Sequence, residues 1–399
     1  MRSVKAVIWT ADMTSNFYGK VVSGDSSTEA HMFKILCVGR ACLDIVQMCV
    51  QFPSEDSCQR STDYRWQRGG NASNTCTVLS LIGQPCELLA CLSTDEHSNF
   101  LQSDLRKYKI DYSHCPMIKD IGCPVATIIL SSSTGSRTIL YNNQGFPELT
   151  LKNFEQLNLE EYSWIHFEGR NVDEVLLMIQ RIENYNNSLN CTRDCATKNR
   201  IPITISVELE SPRAGPRLLE LLPYVDVAFV AKEFATNLGF DNMDEVIHNI
   251  GRDFKETIIS AWAEQGATAR TPCGAIIRSP AFPPHKVIDT LGAGDTFNAA
   301  VLYYLNKSKI EFMHKYKEDE VYMNDLNQTN DNTFDNGIAI KQQINKNLGI
   351  ENLECNRAKF INEIVLQKAI KFACRLAGAK VGLRGYDNLD TISNDILHD

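Results

Sequence analysis

Short apolar runs alternate with amphipathic stretches along most of the chain. The first run, FKILCVG at 33–39, predicts a buried strand because its apolar residues are continuous and a glycine ends it. Helical spacing follows several of the later runs, and strand–helix alternation of this kind predicts an α/β fold with a parallel sheet covered on both faces. A ligand site is then expected at the carboxyl ends of the strands. The later strand-like runs, rich in β-branched and aromatic residues, are 86–92, 164–169, 203–209, 225–231 and 256–263.

Two segments interrupt this alternation with an extended pattern. Residues 44–64 lack helical spacing, and residues 123–141 predict a hairpin around Ser133, Thr134 and Gly135. Together they predict a small β-sheet lid added to the α/β body.

The pattern weakens in three places. Residues 1–31 show no clear periodicity, so we expect a disordered N-terminal extension, with Met32 as an alternative start. Residues 307–362 form an Asn-rich insertion that we expect to be disordered or loosely ordered. Helical spacing returns at 364–383, so the predicted domain covers 32–388, and 389–399 form a C-terminal tail.

Composition and charge exclude several classes of protein. The 399 residues carry a net charge of −9 without a long basic run, so we expect no nucleic-acid partner. No apolar stretch reaches the roughly 18 residues that span a bilayer, so no membrane partner is expected. The 14 cysteines are scattered, and no secretory signal is evident, which predicts reduced thiols in the cytoplasm. Cys191 and Cys195 make a weak metal site, and no protein metal ligand is predicted.

The strongest motif is DTLGAGDTFNAA at 289–300. Gly292, Ala293 and Gly294 form a small-residue turn that leads into a helical pattern, so free N–H groups and the helix dipole predict an anion hole. Asp295, in the first turn, can accept a proton from a hydroxyl that attacks phosphorus. The alternative is that Asp295 merely caps a helix. Neither a Walker A motif nor a Rossmann glycine motif is present, so phosphate binding depends on this turn.

Two further features suit a polyol. In RWQRGGNASNTC at 65–76, Gly70 permits a tight turn, and Asn71 and Asn74 lie three apart at the start of a helix, where paired amides can hold sugar hydroxyls. Asp44, just past the first strand, can accept hydrogen bonds from the same molecule. Asn and Gly also cluster at ordinary helix entrances, and a loop aspartate is often only solvated.

RGGNASN and DTLGAGDTFNA resemble the two signatures of the ribokinase/PfkB carbohydrate kinases. The resemblance extends to the ketohexokinase subfamily through GSRTILY, WIHFEGRN, AWAEQGA and AGAKVGLRGYD, which occur in the same order. It covers about residues 33–306 and 364–388.

This resemblance implies a ribokinase-like, Rossmann-type three-layer α/β/α body with a lid that interlocks with a second copy as a β-clasp, giving a homodimer. It implies transfer of a phosphoryl group from ATP to the C1 hydroxyl of D-fructose, with Mg²⁺ as cofactor and K⁺ near the Asp289 loop. Asp56 on the lid would reach the neighbouring sugar site. Sugar-binding residues would be Asp44, Gly70, Asn71, Asn74 and Asp295, with Asp295 as the catalytic base. ATP-binding residues would be Arg137, Ala263, Glu264, Gln265, Gly266, Gly292, Ala293 and Gly294.

One departure and three alternatives accompany this interpretation. The N-x-x-E motif that many ribokinase relatives associate with Mg²⁺ is absent, with Ala231 where the Asn would stand, and ketohexokinases depart there too. The chain could instead phosphorylate ribose, adenosine or another ketose. It could be a sugar sensor without turnover, or a scaffold that uses the Asn-rich insertion as a binding arm.

Overall fold

The computed structural model describes residues 33–134, 136–143, 145–191, 201–210, 215–329 and 357–398. All of them belong to one compact unit, Phe33–Asp399. The predictions for residues 1–31, and for the part of the insertion at 330–356, lie outside the described residues.

The described strands and helices alternate as the hydrophobic pattern predicts. The strands are β1 (Lys34–Val38), β2 (Cys42–Cys49), β3 (Asp63–Gly69), β4 (Cys86–Leu89), β5 (Leu92–Ser93), β6 (Met117–Ile118), β7 (Val125–Ser131), β8 (Arg137–Asn142), β9 (Tyr162–Glu168), β10 (Thr204–Leu209), β11 (Val227–Ala231), β12 (Thr257–Ala261), β13 (Ala267–Arg270) and β14 (Ile276–Ser279). The helices are α1 (Asn71–Leu81), α2 (Glu96–Lys107), α3 (Leu151–Phe154), α4 (Val172–Cys191), α5 (Lys232–Asn237), α6 (Met243–Asp253), α7 (Ala293–Thr329), α8 (Glu363–Val381) and α9 (Leu389–His398). Short 3₁₀ turns lie at Leu159–Glu161, Gly215–Tyr224 and Ala263–Gln265.

A central sheet of eight strands has the order β14-β13-β12-β11-β10-β9-β1-β4. The strands from β4 to β12 in this order run parallel, which confirms the predicted parallel sheet. The antiparallel edge formed by β13 and β14 was not predicted. Gly266, with φ of 81°, reverses the chain after β12, and its left-handed backbone lets β13 return alongside.

Helices cover both faces of this sheet. Successive residues of β1 point to opposite sides, so Ile35 joins the core beneath α1, α7 and α8, whereas Leu36 joins the core beneath α4 and α6. Side chains such as Ile370 and Ile179 fill these two layers, and they are completely or almost completely buried. The result is the three-layer ribokinase-like α/β/α fold expected from the sequence.

A second sheet, of four strands in the order β3-β2-β7-β8, forms the lid. The hairpin of β7 and β8 pairs Leu130 with Arg137, which confirms the hairpin predicted in 123–141. The other lid segment reaches further than the predicted 44–64, because β3 continues to Gly69 and leads directly into α1.

The predicted insertion 307–362 differs from the structure at both of its ends. Helix α7 continues to Thr329, so residues 307–329 are helical rather than loosely ordered. The buried Lys309 donates hydrogen bonds to the carbonyl oxygen of Ser163 at 2.7 Å, and Phe360 and Ile361 are buried. Composition does not show this, because the contacts that order the start of the segment, such as those of Lys309, lie far away in the sequence.

The C-terminal segment is also more ordered than the predicted tail at 389–399. It forms α9, with Leu389 and Ser393 fully buried against the body. Among the described residues, every helix is too short or too polar to cross a lipid bilayer.

Candidate active site

Two glycines let the lid sheet meet the start of α1 closely. At Gly69, a Cβ atom would lie 2.2 Å from Oδ1 of Asp44, so only a residue without a side chain leaves room for this carboxyl group. At Gly70, φ is 97° and a Cβ atom would lie 2.3 Å from the carbonyl oxygen of Arg40. The sequence RGG therefore places Asp44 of β2 against the helix that carries Asn71 and Asn74.

Asp44 is a buried carboxyl group with weak protein partners. Its side chain accepts a hydrogen bond from the Cys42 thiol at 3.4 Å, and a thiol is a poor donor. Burial raises the pKa of Asp44 to about 7, against the opposing effects of the Cys42 hydrogen bond and of Arg65 and Arg68. A ligand hydroxyl group could donate a stronger hydrogen bond to this carboxyl group than the Cys42 thiol does.

Asn74 and Asp295 form the centre of the site. The Nδ2 atom of Asn74 donates to Oδ2 of Asp295 at 2.8 Å, and both residues are buried. The Oδ1 atom of Asn74 is buried without a hydrogen-bond partner in the described part of the chain. Because buried acceptors are nearly always paired, this oxygen is a candidate acceptor for a bound hydroxyl group.

The pKa of Asp295 is raised above its usual range. Burial is the largest cause, and the negative charges of Glu210 and Glu168 add to it, whereas Asn74 and Arg137 oppose it. Asp295 therefore takes up a proton more readily than a solvated aspartate does, as a general base requires.

Carboxyl groups near the carboxyl ends of two parallel strands complete the site, and no sequence motif predicted them. Glu208, at the end of β10, accepts hydrogen bonds from Asn71 at 3.0 Å and from Asn298 at 2.7 Å. Asn71 also donates to Glu210. Burial raises the pKa of both glutamates, and the negative charge of Glu210 adds to it at Glu208. The available signal was a charged residue at the end of an otherwise apolar strand.

Glu168, at the end of β9, ties three elements together. Its Oε2 atom accepts from the backbone N–H groups of Arg40 at 3.0 Å and Ala72 at 3.3 Å. Its Oε1 atom accepts from Arg170 at 2.9 Å. This missed residue thus fixes the start of α1 relative to the sheet.

The predicted anion hole forms the start of α7. Gly292 has φ of 77°, and a Cβ atom there would lie 2.3 Å from the Tyr386 hydroxyl oxygen. At Gly294, by contrast, a Cβ atom would meet no atom of the described residues within 4 Å beyond the helix's own turn. Ala293 is the first helical residue, and N–H groups in a first turn have no intrahelical acceptor. The N–H group of Ala293 already donates to the carbonyl oxygen of Thr290 at 3.3 Å, so the donors that remain for an anion are its neighbours in this turn, beside the open space at Gly294.

The remaining predicted ATP-binding residues lie in two places, one on the lid and one after β12 of the central sheet. Arg137 begins β8 of the lid, and its Nη1 atom lies 3.5 Å from Oγ1 of Thr290, so the lid reaches the turn that precedes the anion hole. Its positive charge also lowers the pKa of Asp295.

The turn of Ala263, Glu264, Gln265 and Gly266 follows the carboxyl end of β12. Glu264 lies 3.9 Å from Lys232, and Gly266 packs against the Ser279 carbonyl oxygen. These contacts place the turn apart from Asp44 and Asn74, at a neighbouring position along the sheet edge.

A lysine occupies the loop where K⁺ was predicted. The Nζ atom of Lys380 donates to the carbonyl oxygens of Asp289, at 2.9 Å, and Leu291. Arg65 holds the Asp289 carboxylate at 2.6 Å. The oxygen atoms that would hold a monovalent cation already bind an ammonium group, so the residues present do not fit K⁺.

The site fits a divalent cation carried by phosphate groups better than a metal held by protein alone. Within the described ranges, no group of three or more His, Cys, Asp or Glu side chains could hold a metal ion. Mg²⁺ usually binds through one or two carboxylates plus phosphate oxygens and water, and the buried carboxyl groups of Glu208 and Glu210 offer that kind of ligand.

A buried carboxyl group beside an open helix start, at the carboxyl edge of a parallel α/β sheet, is the arrangement expected of a phosphotransferase site. Residues 32–311 match the model of the pfkB family carbohydrate kinases. Mouse ketohexokinase is 35% identical over 360 residues, which cover 89% of this chain and 98% of the mouse protein. The chain therefore belongs to the pfkB family of carbohydrate kinases, which confirms the resemblance predicted from its motifs.

Solved structures agree with the fold. Ribokinase from Giardia lamblia gives a TM-score of 0.68 at 14% identity, with 92% of this chain and 99% of that chain covered. Arabidopsis thaliana ribokinase complexed with ribose and ATP gives 0.63 at 14% identity, with the same coverage. At this identity the likeness concerns the fold alone.

Proposed function

We propose that the chain is an ATP-dependent ketohexokinase, which transfers a phosphoryl group to the C1 hydroxyl of D-fructose and releases fructose 1-phosphate and ADP. The observation that carries the proposal is the buried Asn74–Asp295 hydrogen bond, with the unpaired Asn74 oxygen beside it. The similarity to mouse ketohexokinase supports the choice of sugar.

The sugar binds between β2 and the start of α1. Asp44 accepts hydrogen bonds from sugar hydroxyls, and Oδ1 of Asn74 accepts another, so that each weakly paired acceptor gains a donor. Asn71 is held by Glu208 and Glu210, which orients its amide towards the same space. Gly70 contributes its backbone, since its left-handed conformation forms the turn.

Asp295 acts as the general base. The C1 hydroxyl lies against its carboxylate and gives up its proton as the oxygen attacks phosphorus in line with the leaving group. The N–H groups at Gly292–Gly294 donate to the phosphate oxygens, where negative charge must be stabilised. Direct transfer of this kind needs no phosphorylated enzyme side chain.

ATP would bind on the other side of Asp295 from the sugar. Arg137 donates from the lid to the phosphates, and the turn at 263–266 holds the rest of the nucleotide. Mg²⁺ bound to the phosphates would neutralise charge on them, and Glu208 and Glu210 are the residues that would hold its water shell.

A substrate panel tests the proposal. Purified protein with ATP and Mg²⁺ is given D-fructose, other ketoses, ribose or adenosine, ADP release is measured, and the phosphorylated product is identified by NMR. Turnover with fructose that yields the 1-phosphate supports the proposal. Turnover on ribose or adenosine alone would assign a different kinase, and binding without turnover would indicate a sugar sensor.

We also propose a homodimer formed through the lid. In the strand register of the lid, Ile45 lies opposite Trp66 on one side and opposite Thr127 on the other. Thr127 in turn lies opposite Leu140. Because residues that lie opposite each other point to the same side of a sheet, these four side chains share one face of the lid. Leu140 is 61% exposed and Trp66 is 44% exposed, which is unusual for large apolar side chains in a lid. A second lid would cover this face and bring Asp56, in the loop before β3, towards the partner's sugar site.

A cytoplasmic location is proposed from the cysteines. The eleven cysteines whose side chains the structure describes in full are free, and among them the Cys86 thiol donates to the backbone carbonyl oxygen of Cys76 at 3.3 Å. Reduced thiols suit a reducing compartment, where ATP is also available.

A further inference from the structure

A buried lysine holds the loop that leads into the anion hole. Lys380 lies near the end of α8 and is completely buried. Its ammonium group donates to the carbonyl oxygens of Asp289, at 2.9 Å, and Leu291, and lies 3.7 Å from the Asp289 carboxylate. Three oxygens of one short loop thus converge on a single positive charge.

This arrangement of oxygens resembles the ligand set of a monovalent cation. Proteins bind K⁺ with rings of backbone carbonyl oxygens, which replace its hydration shell. An ammonium group carries the same charge and can donate three hydrogen bonds to such oxygens. Burial lowers the pKa of Lys380 to about 8, against the opposing effect of Asp289, so the amine remains mostly charged at neutral pH.

The charged groups around the ammonium come from three parts of the chain. Arg65 of β3 shares the Asp289 carboxylate at 2.6 Å, and the backbone N–H of Gly385 binds the same carboxylate at 3.1 Å. Asp295 also acts on Lys380 at longer range and favours its charged form. The negative charge of the Asp289 carboxylate is therefore balanced by side chains of the protein itself, Arg65 and Lys380.

The held loop continues directly into the anion hole. Leu291 precedes Gly292, whose α-carbon packs against the hydroxyl end of Tyr386, and the Lys380 ammonium lies 5.5 Å from the centre of the Tyr386 ring. A shift of the Leu291 carbonyl group would therefore move the N–H groups that we assign to phosphate binding. Such donors act only when they are held in place before the reaction.

We propose that the Lys380 ammonium is a built-in monovalent cation, which positions the Asp289–Gly292 loop and makes turnover independent of K⁺. Lys380 is a positioning residue in this scheme, because it acts on the substrate only through the loop. The inference departs from the K⁺ site expected from the resemblance to the family.

The chain offers a matched control in Lys309. This lysine is also buried, and its ammonium donates to the carbonyl oxygen of Ser163 at 2.7 Å and to the Thr204 hydroxyl at 2.9 Å. Its contacts lie at the opposite, amino-terminal ends of β9 and β10. Lys309→Met therefore removes a similar buried charge without touching the anion hole.

The kinetic experiment rests on the proposed function. Wild-type turnover is measured in K⁺, Na⁺ and choline chloride at equal ionic strength, with expected kcat/KM values within about twofold of one another, since screening is then the same. Lys380→Met in choline should lose about tenfold or more, because the phosphate-binding donors are displaced. K⁺ or NH₄⁺ should restore much of this loss, and neither should affect the kcat of Lys309→Met. A wild-type requirement for K⁺ would overturn the proposal, even if the variants do not fold.

A thermal experiment tests the same point without activity. The melting temperature of Lys380→Met should rise saturably with K⁺ but not with choline, because a ligand that binds only the folded state stabilises it. Wild type should show no difference between the two salts. If no sugar in the substrate panel is phosphorylated but K⁺ still stabilises Lys380→Met, the kinase assignment is overturned and the inference about Lys380 stands. A folded Lys380→Met variant that ignores K⁺ in both assays would overturn the inference.

Discussion

Replacing Asp44 with Asn should stabilise the protein and impair sugar binding at the same time. The carboxyl group is only 4% exposed, and burial raises its pKa from 3.8 to about 7. A folded-state pKa above the unfolded value means that folding is favoured by the protonated form, so stability is lost as the pH rises from about 3.8 to about 7 and the loss is complete above that range. Asparagine cannot ionise and removes this cost.

The size of the effect follows from the pKa difference. At 1.36 kcal/mol per unit, the shift costs wild type about 4 kcal/mol at pH 8, but only about 2 kcal/mol at pH 5, where the folded-state carboxyl is protonated. The stability gained by Asp44→Asn should therefore be greater at pH 8 than at pH 5 by about 2–3 kcal/mol. Because the stability change caused by Asp44→Asn is compared at two pH values, any part of it that does not depend on pH cancels.

The assay is urea denaturation of both proteins at pH 5 and pH 8, combined with the KM for fructose. A hydrogen bond to a charged group is worth about 1.5–3 kcal/mol, so KM should rise about tenfold or more. Asp390→Asn, an exposed aspartate in the first turn of α9, is the control and should change stability equally at both pH values. An Asp44→Asn variant with no pH-dependent gain and an unchanged KM would refute this account of Asp44.

Three further predictions concern the anion hole, the base and the lid. Gly294→Ala should leave the free energy of unfolding unchanged or raise it by up to about 1 kcal/mol, because alanine is the better helix former. The same variant should raise the KM for ATP, because the new methyl group would project into the open space where we place the phosphates. Gly292→Ala should instead lower the urea midpoint, since it is strained at φ of 77° and meets Tyr386. Asn74→Asp places a second carboxyl group 2.8 Å from Asp295 and should cut kcat about 100-fold and move its pH profile upwards; an unchanged profile would contradict the pairing. Leu140→Lys should convert a dimer to monomers in light scattering after gel filtration, whereas a wild-type monomer would contradict the proposed interface.

The periodicities of the sequence were sufficient to predict the parallel sheet and the lid hairpin. Continuous apolar runs mark strands that are buried on both faces, as in β9 and β10, and such runs survive in any compact α/β body. The β13–β14 edge escaped prediction because four-residue strands such as ATAR carry no clear alternation. Asn-rich composition concealed the continuation of α7, whose first part is anchored to the body by Lys309.

The candidate site was partly predictable for a similar reason. Gly70, Asn74 and Asp295 lie in motifs where each residue type suggests its own chemistry, and the structure brings Asn74 and Asp295 into contact. Glu168 and Glu208 belong to no motif: each is a single charged residue near the carboxyl end of an apolar strand, and most such residues are simply solvated. Lys380 contacts Asp289 from 91 residues away, and no local pattern reveals such a contact.

The most direct test of the central claim is the turnover of Asp295→Asn with ATP, Mg²⁺ and fructose. Removing the base should lower kcat by about 10²-fold or more, while ATP affinity, measured by calorimetry, stays within about twofold of wild type. Asp390→Asn provides the matched control, since it changes an exposed aspartate in the first turn of another helix. Loss of turnover with ATP binding retained is the predicted result. Near-normal turnover by Asp295→Asn would contradict the assignment of Asp295 as the base and, with it, the proposed mechanism.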